Sequence, residues 1–349
     1  MRYTYRGEVG ERIPDEATHI TMGEDVTFVR TRAFAWQPNI IEVICKRVGK
    51  IEYEAFRDCP HLRRVVMPGV KIVELCAFNA APLTDVECGK LEIIGQAAFG
   101  RCKSLRSINL PSARIVEKWT FNYCGALVDA TFGSKLERIE EKAFVDCRSL
   151  ERITIPLKDG IITSEDIFEA CEQLKQVDLV DEESLNETVA ALQLEEWRID
   201  MNEEIDSING VLPNARAGRW GDAGEKALVI RRWIRSVLHK IIYYQSEHQL
   251  ILDVVATTLK LALPHDIVNR SVLPFLELPS HTFELAEGGD ENEDEISSSE
   301  GSSSEEESSS EGSSSEEEEL SEEEEESGME EEISNDNEVP SKRQRIQDR

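Results

Sequence analysis

Apolar side chains return at a fixed interval along the first half of this chain, and their spacing changes inside each interval. Phenylalanine marks the period: Phe34, Phe56, Phe78, Phe99, Phe121, Phe144 and Phe168 are separated by 22, 22, 21, 22, 23 and 24 residues. Alanine precedes five of them, at Ala33, Ala55, Ala77, Ala98 and Ala143. Cysteine follows three residues later at Cys59, Cys102, Cys124, Cys147 and Cys171, and an aliphatic residue six later at Ile40, Leu62, Leu105, Leu127, Leu150 and Leu174. Nine and eleven residues after the ring come the alternating pairs Val43/Cys45, Val65/Met67, Ile108/Leu110, Ile153/Ile155 and Val177/Leu179. Leu83 and Val86/Cys88 sit one place early because the third unit is a residue short.

Strict alternation predicts a short strand with one face inward, whereas apolar residues three apart in Ala-Phe-x-x-Cys predict a helical turn or short helix. A second extended piece is marked by Val29, Ile51, Val73, Ile94, Val116 and Ile139, five residues before each ring. Self-similarity at this period is the signature of a solenoid, in which a unit buries its apolar face only against its neighbours. The expected core is a column of phenylalanines, each contributing about 1.5–3 kcal/mol by burial.

Stretches such as Leu150–Pro156 (LERITIP) and Ile139–Cys147 (IEEKAFVDC) resemble the BspA-type leucine-rich repeat family, and the resemblance runs over about residues 26–180. It implies a curved right-handed solenoid and a binding role. The expected architecture is therefore an α/β repeat solenoid over 26–181 behind an N-terminal cap at 1–25. A helical region at 182–286 and a Ser/Glu tail at 287–349 complete it. Ser184 and Glu187 suggest a capping box that opens a helix with Leu185, Val189, Leu192 and Trp197 inward. A long helix is expected over roughly 224–263, with Ile230, Ile234, Val237, Ile241, Tyr244, His248, Ile251, Val255 and Leu259 on one face and Pro264 at its end. This region resembles the C-terminal extension of diatom leucine-rich repeat proteins in its WIRSVL stretch (Trp233 to Leu238) and its VLPFL ending (Val272 to Leu276).

Charge divides the chain sharply. Of 70 acidic residues 25 fall in 287–338, which holds no Lys or Arg, so most of the net charge of −31 sits there. With almost no apolar side chains, that segment cannot offset the entropy of ordering and is expected to be disordered. Two readings of it stand open: a solvating tail, or one that binds basic proteins such as histones. Ser302, Ser308, Ser313, Ser321 and Ser327 each have an acid three residues on, a pattern resembling acidophilic kinase sites. Lys342, Arg343 and Arg345 resemble a short nuclear-import signal. The first residues lack the apolar run of a secretory leader, and no long apolar stretch predicts a membrane span. The chain is thus expected inside the cell, nuclear or cytoplasmic, with its eight cysteines reduced.

The chemistry-bearing residues assemble no recognisable catalytic set. No HExxH or nucleophile motif is present, and Gly218–Gly224 lacks the GK[ST] ending of a phosphate-binding loop. Cysteines one per unit spread along a line, whereas zinc needs four ligands around a point. No enzyme activity, metal or cofactor is expected. Arg231, Arg232, Arg235 and Lys240 cluster on the long helix, yet the acidic balance argues against nucleic acid as a partner. The expected function is a protein-binding scaffold whose partner meets the outward strand positions. Those are Glu42, Ile44, Arg64, Val66, Asp85, Glu87, Asn109, Arg152 and Thr154, with Ile44 and Val66 as exposed apolar neighbours that could anchor a partner, unless residues 1–25 cover the first coil's edge.

Overall fold

A computed structural model describes residues 1–285 except 9, 181, 220–223, 282 and 284. The tail, its serines and its basic motif lie outside the described residues.

The alternating pairs form the rungs of a parallel ladder. Arg2–Tyr5, His19–Met22, Glu42–Ile44, Arg64–Val66 and Asp85–Glu87 make one sheet, and Ser107–Leu110, Asp129–Phe132, Arg152–Ile155 and Gln176–Leu179 a second. Every pairing is parallel and in register, for example Val43 with Val65 and Ile153 with Val177. The ladder breaks after Asp85–Glu87, in the unit shortened by one residue. The second extended pieces, from Phe28–Val29 to Arg138–Ile139, form a six-stranded parallel sheet of their own. Residues 1–25 add the two strands Arg2–Tyr5 and His19–Met22 to the first ladder, with Thr21 beside Ile44. They continue the rungs and so cover the edge of the first coil at Glu42–Ile44.

The Ala-Phe-x-x-Cys stretches form successive turns, against the expected helical turn. The residues two before and two after each ring from Phe34 to Phe144 adopt positive φ, as at Glu54 and Asp58 or Trp119 and Tyr123. A left-handed residue cannot continue an α-helix. The N–H groups instead reach the following coil: Phe56 donates to Ala77, and Asp58 to Asn79. Each coil therefore has a third hydrogen-bonded side, the turn face.

All seven rings are buried and stacked, with neighbouring centroids 4.9–5.7 Å apart and planes within 21°. Such near-parallel stacking follows from one ring per coil. The cysteines line this column. Cys59, Cys124, Cys147 and Cys171 each donate to the carbonyl of the phenylalanine one coil back, at 3.0–3.1 Å.

Among the described residues three helices of ten or more residues follow: α1 (Glu182–Ala191), α2 (Glu195–Val211) and α3 (Lys226–Ala262). The long helix lies within the span its periodicity marks. Ser184 is inside α1, where its carbonyl accepts from the Thr188 hydroxyl, so it is not the cap that the Ser184–Glu187 spacing suggests. Leu185, Val189 and Leu192 are buried, while Trp197 belongs to α2 and packs partly against the core. Beyond Pro264 the chain turns back, and Val268 is buried there with His248, Leu252 and Ala256 of α3. No helix among the described residues is long and apolar enough to cross a membrane.

Candidate partner-binding surfaces

Alternation along each rung turns two rows of side chains inward and leaves two on the outer strand face. The first row runs Glu42, Arg64, Asp85, Ser107, Asp129, Arg152 and Gln176; the second runs Ile44, Val66, Glu87, Asn109, Thr131, Thr154 and Asp178. Each coil places its contribution one rung further along. Arg64, Asp85, Glu87, Asn109 and Arg152 are exposed, and Glu42, Ile44, Val66 and Thr154 half-buried.

Arg64 is the centre of this face. Its guanidinium meets Glu42 at 3.2 Å, Asp85 at 2.8 Å and Glu87 at 2.5 Å. Donating to the carboxylates of Glu87 and then Asp85 pushes its pKa up, fixing the positive charge. Arg152 sits more loosely between Asp129 at 3.9 Å and Asp178 at 3.5 Å. The apolar residues Ile44 and Val66 are cross-strand partners beside Arg64. The ladder therefore brings Glu42, Ile44, Arg64, Val66, Asp85 and Glu87 together, and sets Asn109, Arg152 and Thr154 apart on the second sheet. Surface ion pairs of this kind add little stability, about 0–1 kcal/mol each. What they contribute is a fixed pattern of charge.

The turn face carries side chains that the strand pattern does not reveal. Trp36 is 56 % exposed at a positive φ, with the Arg32 guanidinium over its ring and over that of Tyr53. Trp119 and Leu75 are also exposed on this side, and Arg101 lies over Tyr123. Beneath them Glu54 is buried between Arg32 and Arg57. Burial alone would raise its carboxyl, but the two guanidiniums outweigh it and hold the group below its ordinary value. The aromatic residues Trp36, Trp119 and Tyr123 two positions from the phenylalanine, where the other coils carry no aromatic, are the sequence signal for this face.

Three of the four basic residues clustered on α3 face the fold, while Arg232 is exposed. Arg231 donates to the Ile162 carbonyl, Arg235 pairs with buried Asp159 at 3.0 Å, and Lys240 meets Asp200 and Glu204. The cysteine column holds no metal geometry: among the described residues no three His, Cys, Asp or Glu side chains converge. Burial pushes the thiols of Cys59 and Cys171 up to about 12, so they stay protonated.

A family model described as the BspA type leucine rich repeat region matches six copies, over residues 15–90 and 71–189. No curated protein matches the chain. A leucine-rich repeat protein from Bacteroides ovatus is similar at 20 % identity, over 48 % of this chain and 47 % of that one, with a TM-score of 0.40. The present chain thus spans about half its length. The T. pallidum leucine-rich repeat protein is similar at 22 % identity, over 47 % of this chain and 70 % of that one, with a TM-score of 0.35.

Proposed function

We propose that this chain, which belongs to the BspA-type leucine-rich repeat family, is a non-enzymatic scaffold that holds a protein partner against its outer strand face. Leucine-rich repeat proteins generally mediate protein–protein interaction, and the family supplies that coarse role. The observation that carries the finer reading is the cluster around Arg64. An apolar pair, Ile44 and Val66, lies next to one guanidinium held between three carboxylates. An apolar anchor flanked by ordered charge is what a specific interface needs: the anchor supplies burial, and the charges reject wrong partners.

A second reading rests on the concentration of 25 acids in residues 287–338, which suits a basic partner such as a histone, in the nucleus or the cytoplasm. One affinity pull-down separates the two. Its baits are the full chain, a variant carrying Arg64→Glu, Arg152→Glu and Val66→Asp, and a chain lacking 287–338. Loss of partners with the triple variant alone supports the strand face. Unchanged recovery with it overturns that face, and loss of histones with the truncated bait alone assigns binding to the tail.

A further inference from the structure

The distal half of α3 has two opposite faces with different fates. His248, Leu252 and Ala256 are buried under the returning segment after Pro264. On the far side of the helix stands a second apolar line: Tyr243 is 58 % exposed, Leu250 59 %, Val254 67 % and Leu261 87 %. These four residues, with Glu247 and Thr257 between them, follow one another at spacings of four and three. At about 3.6 residues per turn that keeps them on one stripe, and a repeat of four and three is the seam of a helix that packs on another helix. Scattered exposed apolar residues need no explanation, but four aligned on one helix stripe, with only Glu247 and Thr257 between them, mark a surface that another helix can cover.

The chain's own tail does not match it. From residue 286 onward the large apolar side chains are Ile296, Leu320, Met329, Ile333, Val339 and Ile346, of which only the pairs Met329/Ile333 and Val339/Ile346 stand at helical spacing, and the two pairs do not share one stripe. A second copy of α3 does match it. In an antiparallel arrangement centred between Val254 and Thr257, Leu250 meets the partner's Leu261 and Val254 meets the partner's Thr257. On one flank of the stripe Asp253 then comes within a helical turn of the partner's Lys260, and symmetry repeats that opposite-charge contact. A parallel pairing would set Asp253 against the partner's Asp253.

We infer that the chain forms a two-fold antiparallel dimer through the exposed stripe of α3 around Leu250, Val254 and Leu261, joining two solenoids at their helical ends. Sedimentation equilibrium of the full chain at rising concentration tests this. Twice the chain mass is expected, with reversion to the single mass in Leu250→Glu with Val254→Glu. Both sites are exposed, so thermal unfolding of that variant reports that it is folded. Asp253→Lys should raise the dissociation constant about tenfold, and adding Lys260→Glu should restore it. A single-chain mass up to about 100 µM, far above the dissociation constants of stable interfaces, would overturn the dimer. A dimer indifferent to the Leu250/Val254 variant would overturn this interface. Failure of the charge swap to restore association would overturn the antiparallel register.

Discussion

Coils inside the solenoid are stabilised by copies of themselves, whereas the helical end is held by contacts that occur once. In the middle of the stack, Phe99 lies between Phe78 and Phe121. Its N–H goes to Thr120, while Phe78 donates to Ala98. Each coil satisfies the one before it by the same bonds. The last coil has no successor, and unrelated groups fill the gap. Ala170 donates to the Ala217 carbonyl, Val177 to the Asn209 side chain, and the Lys226 ammonium to the Leu174 and Leu212 carbonyls. A repeat is thus cheap to extend and costly to end. Its ends need specific residues because backbone groups left unpaired in an apolar setting are expensive.

The comparison breaks most visibly in the stack. Phe99→Ala leaves a cavity between two rings that fixed neighbouring coils hold apart. We expect a loss of about 3–5 kcal/mol in chemical denaturation. Phe28, which is 38 % exposed at the rim, should cost about 0.5 kcal/mol or less when truncated. Equal losses at the two sites would mean that the stack does not carry the core.

The same contrast sets what could be read beforehand. The period, the inward pairs and the stacked rings were legible because each is written once per coil, and stacking requires them to coincide. The turn conformation was not. Apolar spacing of three is shared by a helical turn and by consecutive turns, and only the positive φ at residues such as Glu54 and Asp58 separates them. The capping contacts were not legible either. Lys226 and Asn209 reach carbonyls or N–H groups 52, 14 and 32 residues away, and no period marks such pairs. On the surface, alternation named the outward rows, but the gathering of three carboxylates on Arg64 needed the register between coils.

Lys226 gives the next largest effect. It is 2 % exposed, and Lys226→Met would strip two carbonyls of their donor while keeping most of the side-chain volume. The expected loss at neutral pH is about 1–3 kcal/mol. Burial lowers the pKa of this ammonium below its ordinary 10.5. Folding then releases a proton between the folded value and 10.5, the unfolded chain binds more protons, and this contribution to stability rises with pH through that window. The gap between wild type and Lys226→Met, measured by denaturation from pH 8 to pH 11, should widen accordingly. A constant gap would remove the ammonium from the closing of the last coil.

The smallest effect separates packing from hydrogen bonding within a coil. Cys124 and Cys45 are both fully buried, but Cys124 points its thiol at the Phe99 carbonyl at 3.1 Å. Cys45 lies on the inward strand row and makes no such bond among the described residues. Cys45→Ala and Cys124→Ala each delete one sulfur from the apolar column, so their transfer and cavity costs are alike. Cys124→Ala also leaves a carbonyl short of a donor. The expected difference is about 0.5–1 kcal/mol, the ordinary net value of a hydrogen bond and an upper estimate for a weak thiol donor. Equal losses in urea would show that cysteine recurs three residues after the ring for its size alone. A measurable excess at Cys124 would show that the thiol also ties each coil to the ring carbonyl of the coil before it, so that the solenoid's repeating bonds include its side chains.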